Sequence, residues 1–193
     1  MRTRCRRRGA WVTEADWSNH SALIGASGNA NSRCKMRSIH MFEDTMDPHT
    51  REARQALIRR HVEAENAHRM DDTLATIHPD CVFEDVAMQR TWRGHAGARE
   101  YYRMWWDGLR IVVTPGADDR RMWTDDGTFV AETRFTGVHA GPFLGVAPTG
   151  RTVSFRFVVF VPFRDGLMAG ERFYYDLDGL LRQLGVARAP LTT

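Results

Sequence analysis

Apolar side chains recur at helical spacing in the first half of the chain and at strand spacing in the second. Asp47–Pro48 is a helix entry, with Pro suited to the first turn. From Ala53 to His68, the positions Ala53, Leu57, Ile58, Val62 and Ala64 fall in one arc at about 100° per residue, and Glu52, Gln55, Arg59 and Glu63 lie opposite. A second, short helix is expected from Asp71 or Asp72 to a stop before Pro79, with Leu74 and Ile77 inward. Cys81–Val86 reads as a short strand. A third helix is expected over His95–Trp106, with Ala98, Tyr101, Tyr102 and Trp105 inward and Gly108 as its stop.

Further along, Asp126–Gly127 and Asp165–Gly166 are hairpin turns between apolar runs. Arg120–Thr124 and Thr128–His139 flank the first; Arg151–Arg164 and Leu167–Asp176 flank the second. Val153, Phe155, Phe157, Val159, Val161 and Phe163 alternate onto one face of a strand long enough to require twist and curvature. Helices followed by an antiparallel meander predict an α+β fold: a cone-shaped curved antiparallel sheet covered by about three N-terminal helices and enclosing one pocket.

The 193 residues, 42% hydrophobic and 26% charged, suit one globular domain. No run approaches the roughly 20 apolar residues of a membrane helix, so no membrane partner is expected. Charge is uneven. Residues 1–46 hold eight basic and four acidic side chains, while the remainder balances at −1. The body therefore lacks the clustered Arg and Lys of a specific nucleic-acid face. The leader, residues 1–46, has no lasting periodicity and reads as a disordered basic arm or as a start placed too far upstream, with Met36, Met41 and Met46 as alternative starts. Its five early arginines suggest at most unspecific phosphate contact. One domain is expected over residues 47–193. Cys5, Cys34 and Cys81 are too few and too scattered for a disulfide framework or a zinc cage, which points to a reducing, cytoplasmic setting.

No phosphate loop, dinucleotide fingerprint or HExxH run is present. Candidate chemistry rests on polar groups at positions the pattern reserves for apolar ones. His61 sits inside the first helix's apolar arc with Glu65 four residues on, on the same face. They are either a base with its orienting carboxylate or a hydrogen-bonded core pair. A metal set of His61, Glu65 and His139 has no third ligand fixed by spacing. His139 ends a strand and enters the glycine-rich run Gly141–Gly145, at a pocket mouth or simply in solvent. Glu84 and Asp85 end a strand, and a carboxylate turned into an aromatic pocket would be a raised-pKa acid. On the last strand, alternation puts Glu171, Phe173 and Tyr175 on one side and Arg172, Tyr174 and Asp176 on the other. Asp176 equally suits a helix cap. Trp92, Tyr101, Tyr102, Trp105, Trp106, Trp123, Phe155, Phe157 and Phe173 either line a cavity or fill a core.

The stretch from Gly137 to Arg151, GVHAGPFLGVAPTGR, resembles the GxHxGxFxGxxPTGR segment of SnoaL-like polyketide (ester) cyclases, within the nuclear transport factor 2-like and ketosteroid isomerase-like superfamily. Asp165–Gly166, Glu171, Asp176 and Gly179–Gly185 resemble that family's DG…E…D..GLLxQLG signature, and Glu65–His68 is similar to the end of its first helix. The likeness spans about Arg51 to Val186. It implies an NTF2-like cone, a homodimer, and no metal or organic cofactor. Better-known members close a ring by an intramolecular aldol reaction, an acidic residue removing an activated proton. His139 falls on the family's pocket histidine and Asn66 on an asparagine near the end of the first helix. The sequence departs where cyclases carry His-Trp-Asp on the last strand. Here Glu171–Arg172–Phe173 stands, with Phe173 in the acid's place. Either Glu171 or Asp85 has taken over, or the aldol activity is gone.

The expected catalytic set is His139, Glu171 and Asp85, with substrate contacts from Asn66, His61, Glu65, Tyr102, Trp106, Phe155 and Phe173 and no metal. The expected function is cofactor-free acid/base catalysis on a small hydrophobic, polyketide-like or terpenoid-like substrate. The alternatives are a non-catalytic hydrophobic-ligand or dimerisation module on the same fold, or an isomerase, epoxide hydrolase or dehydratase of the superfamily. For epoxide opening, Arg172 and Asp176 share a strand face.

Overall fold

A computed structural model describes residues 46–186. The expected leader lies outside the described residues except for Met46. Helix α1, Pro48–Asn66, starts as its sequence dictates: the Asp47 carboxylate accepts from the Thr50 backbone N–H at 2.9 Å, and Pro48 fills the first turn. Leu57, His61, Ala64 and Glu65 are its buried residues. Ala53, expected inward, is exposed. Helix α2 is only Met70–Leu74, and α3 runs Gly94–Leu109. Ala98, Tyr101, Tyr102 and Trp105 form the buried stripe of α3, as its spacing requires. Gly108 does not stop this helix. A Cβ there would meet the Phe143 ring at 3.1 Å, so Gly108 admits an aromatic side chain against the helix, which ends at Arg110 in a left-handed conformation.

The strands are β1 Ile77–Asp85, β2 Arg90–Arg93, β3 Val112–Val113, β4 Arg120–Trp123, β5 Phe129–Val138, β6 Thr152–Val161, β7 Phe163–Arg164 and β8 Leu167–Tyr175, and helix α4 is Leu177–Leu184. They form one curved, unclosed sheet in the order β2-β1-β8-β6-β5-β3, with β4 on β5 and β7 on β8. Both aspartate–glycine turns close hairpins, β4–β5 and β7–β8. The expected long strand breaks at Pro162, which lacks the N–H to continue the ladder. Asp176 caps α4, accepting from the Gly179 N–H at 2.8 Å.

One pairing escapes the meander: β1 lies parallel to β8. β1 also begins four residues earlier than its apolar run, at Ile77, and carries Pro79 within it. The register shifts between Ile77 and Val82, and this irregularity accommodates the proline. Opposite it stands Gly170, at φ 137°, where a Cβ would come within 1.9 Å of the Val82 carbonyl oxygen. No side chain fits that approach. The next residue is Glu171.

The core forms where α3 lies on the concave face. Trp105 alone stacks on Phe155, tilts against Phe143 and meets Tyr175 edge-on. These aromatic surfaces, buried from water, dominate the stabilisation. No helix of the described residues is long and apolar enough to cross a membrane.

Candidate active site

Between α1 and the sheet lies a cavity of about 690 Å³. Its walls are apolar: Ile58 and Val62 from α1, Phe129, Ala131 and Phe135 from β5, Phe157, Val159 and Val161 from β6, and Met168 and Phe173 from β8. β5 and β6 are antiparallel with Phe135 opposite Phe155 and Ala131 opposite Val159, so strand alternation turns one row of each strand, apolar apart from Thr133, toward α1. Into this wall project three buried ionisable side chains: His61, Glu65 and Glu171.

His61 is 1% exposed, Glu65 7% and Glu171 6%. The His61 Nε2 atom stands 3.3 Å from Glu171 Oε1 and 3.8 Å from Glu65 Oε2. The Tyr102 hydroxyl approaches the same nitrogen at 3.2 Å. On the other side of the ring, Nδ1 lies 2.7 Å from the Thr76 hydroxyl oxygen. The Thr76 hydroxyl donates to the Thr73 carbonyl at 2.6 Å, so its oxygen is left to accept from Nδ1–H. Thr76 thereby fixes the tautomer: Nδ1 keeps its proton, and Nε2 is the nitrogen that gains or loses one, facing the two carboxylates.

Burial alone would lower the His61 pKa, but the Glu171 hydrogen bond and charge, the Glu65 charge and the Thr73 backbone outweigh it, and the pKa is raised. Burial pushes Glu65 up to about 7, against the His61 charge and helped by Glu171. In this low-dielectric wall Glu65 and His61 thus both hold protons more tightly than they would in water. The second Glu171 oxygen, Oε2, is buried and has no hydrogen-bond partner among the described residues. A buried acceptor left unpaired is costly and calls for an explanation, which a proton-transfer role would supply.

The structure brings together only part of the expected set. His61, Glu65, Glu171 and Phe173 line the cavity. His139 does not. It is fully buried beside the loop it was expected to serve, its Nδ1 3.0 Å from the Thr149 hydroxyl and accepting the Thr149 N–H at 3.3 Å, while its backbone pairs with Gly150 and Arg151. It fastens the residue 140–150 loop. Asp85 is also off the cavity. Its carboxylate accepts from the Met88 N–H at 2.8 Å and the Tyr175 hydroxyl at 3.0 Å, and burial raises its pKa. Asn66 clips the end of α1 to β3, donating to the Val113 carbonyl at 3.0 Å and accepting the Val113 N–H at 2.7 Å. Tyr102, Trp106 and Phe155 belong to the aromatic core; Tyr102 reaches the site only through His61. Thr76 was missed because a lone threonine between helix and strand carries no periodic signal. Among the described residues, no group of three His, Cys, Asp or Glu is placed to hold a metal ion.

Comparison with known proteins agrees with this architecture. Aklanonic acid methyl ester cyclase AcmA of Streptomyces galilaeus is 29% identical over 133 residues, covering 67% of this chain and 89% of that protein. The structure of TsrD from Streptomyces laurentii, 27% identical, superposes with a TM-score of 0.59 over 72% of this chain and 98% of TsrD. An NTF2-like protein from Burkholderia pseudomallei, 16% identical, shares the fold at a TM-score of 0.57 over 69% of this chain and 98% of that one. The SnoaL-like polyketide cyclase family model matches residues 55–184, well over half of the chain and both elements that carry the His61, Glu65 and Glu171 cluster, and the chain belongs to that family.

Proposed function

We propose that this protein is an acid/base enzyme that cyclises a small, mostly apolar, polyketide-like substrate, using Glu171 as the base and His61 with Glu65 as its proton reservoir. One observation carries the reading: Glu171 lines an apolar cavity, with one oxygen held 3.3 Å from a tautomer-fixed histidine and the other buried without a hydrogen-bond partner among the described residues. In the proposed step, Glu171 Oε2 takes the proton of an activated C–H. The C–H electron pair moves onto the neighbouring carbonyl to give an enolate. The enolate carbon attacks a second carbonyl of the same molecule, forming one C–C bond, and the resulting alkoxide takes a proton back from the cluster. Substrate and product are isomers, so no oxidant, reductant or co-reactant enters. Positioned acid/base groups contribute about 10²–10⁴-fold to such steps.

Phe173 stands where the resemblance places the cyclases' acid. It lines the cavity on the same strand face as Glu171, two residues on. An acid displaced along one strand face supports Glu171 as its replacement. The same phenylalanine also favours a second reading, a hydrophobic-ligand carrier on the same cone. In either reading the protein acts as a homodimer.

Aklanonic acid methyl ester, the compound in the relative's name, serves as the probe. Incubated with the full chain in deuterated water, it is expected to exchange its acidic C–H for deuterium faster than in buffer and to yield a cyclised isomer. Intact recovery of both the ester and its free acid without exchange, together with saturable binding, would establish the carrier reading and remove the enzymatic one.

A further inference from the structure

The cavity is polarised along its length. Arg51, Gln55, Arg59 and Glu63 follow one another at four-residue spacing along α1, and all four line it. From the facing strand β4 come Trp123 and, two residues earlier on the same face, Arg121. The Arg51 guanidinium lies 5.8 Å from the centre of the Trp123 ring, so the first turns of α1 meet β4 there. The far end of α1 meets β3, where Asn66 holds Val113. β4 and β3 pair with opposite ends of β5: Trp123 with Phe129, and Val113 with Phe135. Arg121, paired with Ala131, therefore lies abreast of the turn of α1 between Gln55 and Arg59.

Gln55, Arg59 and Arg121 are exposed, whereas His61, Glu65 and Glu171 are buried. The mouth is thus basic and the closed end acidic. Arg59 forms no ion pair with another described residue. Arg121 has one loose contact, 3.4 Å to an Asp119 oxygen that already accepts from the Thr133 hydroxyl at 2.7 Å. Among the described residues, Glu63 is the one exposed acid that lines the cavity. A neutral apolar ligand gains nothing from guanidinium groups there. A ligand with an anionic end is drawn to them and is turned away from the carboxylates inside, which fixes which end enters first. The planar guanidinium fork matches a carboxylate.

We infer that the substrate is a free acid: an apolar, carbonyl-bearing body that enters the cavity to Glu171, with a carboxylate left at the mouth on Arg59 and Arg121. This rests on the acid/base reading above and deepens it. It separates this chain from AcmA, whose named substrate is a methyl ester.

Anthraquinone-2-carboxylate and its methyl ester test it, titrated calorimetrically into the full chain at low and at high salt. The wild type is expected to bind the acid about tenfold more tightly than the ester at low salt, and less so at high salt. An Arg59→Gln/Arg121→Gln double variant is expected to lose that preference while holding the ester as before. Glu171→Gln, at the other end, is expected to keep it. Equal affinities, preference for the ester, or a preference that survives in the double variant would overturn the inference. In those cases the ester still occupies the cavity and the acid/base reading stands. Binding of neither compound would overturn both.

Discussion

Glu171 meets His61 through one oxygen, 3.3 Å from Nε2, and keeps the other buried without a hydrogen-bond partner among the described residues. The Glu171 side chain thereby links the His61 imidazole to the cavity that it lines. The arrangement depends on β8 delivering Glu171 inward beside the irregular stretch of β1, and on α1 delivering His61 from the opposite side.

Thr76 holds the opposite nitrogen of that imidazole. Thr76→Val removes the oxygen that accepts from Nδ1–H but keeps its bulk. The turnover of the folded variant is expected to fall, and the ionisation that limits its rate to move to lower pH, because the imidazolium loses a partner. Thr76→Ser is expected to restore both. An unchanged pH–rate profile in Thr76→Val would show that Thr76 only fills space.

Stability is expected to fall as pH rises through the neutral range. Glu65 holds its proton in the native state up to about 7 but only to 4.5 when unfolded, so the folded protein binds more protons in that window and loses stability across it. His61 acts in the same direction. Its raised pKa gives stability that is complete below 6.5 and is lost as pH rises through the native value. Thermal melts from about pH 5 to 8 should show this decline, and Glu65→Gln should flatten it between about 5 and 7. A slope equal to that of the wild type would contradict the assignment.

Gly170→Ala places a methyl group on the Val82 carbonyl oxygen, in a backbone conformation L-residues rarely adopt. A loss of about 2 kcal/mol or more is expected in denaturant unfolding, with activity reduced further because the residue that shifts is the neighbour of Glu171. Wild-type stability would mean that the β1–β8 approach is looser than described.

Much of this fold was legible in the residues, because its signals are local. The two aspartate–glycine turns mark their own hairpins, and the stripe Ala98, Tyr101, Tyr102 and Trp105 marks its own helix face. His61 and Glu65 announced themselves as polar groups at helical spacing inside an apolar arc, and Glu171 by alternation with Phe173. What long-range contacts decide was not legible. A histidine at a strand end beside a glycine-rich loop reads alike whether it opens into a pocket or, like His139, is locked against Thr149. Asp85 looks like a pocket acid until Tyr175 and the Met88 N–H satisfy it. Asn66 reads as a helix end until β3 arrives beside it. Arg59 looked like the solvent side of a helix and proves to border the cavity mouth.

The central claim is that the cavity carboxylate, and not the motif histidine, does the proton transfer. Turnover per folded molecule of Glu171→Gln and His139→Ala, measured side by side, tests it most directly. A loss of about 10²–10⁴-fold per folded molecule is expected for Glu171→Gln. For His139→Ala a destabilisation of about 2–4 kcal/mol is expected, with near wild-type turnover in the folded fraction. The reverse pattern, turnover lost in folded His139→Ala and kept in Glu171→Gln, would contradict it.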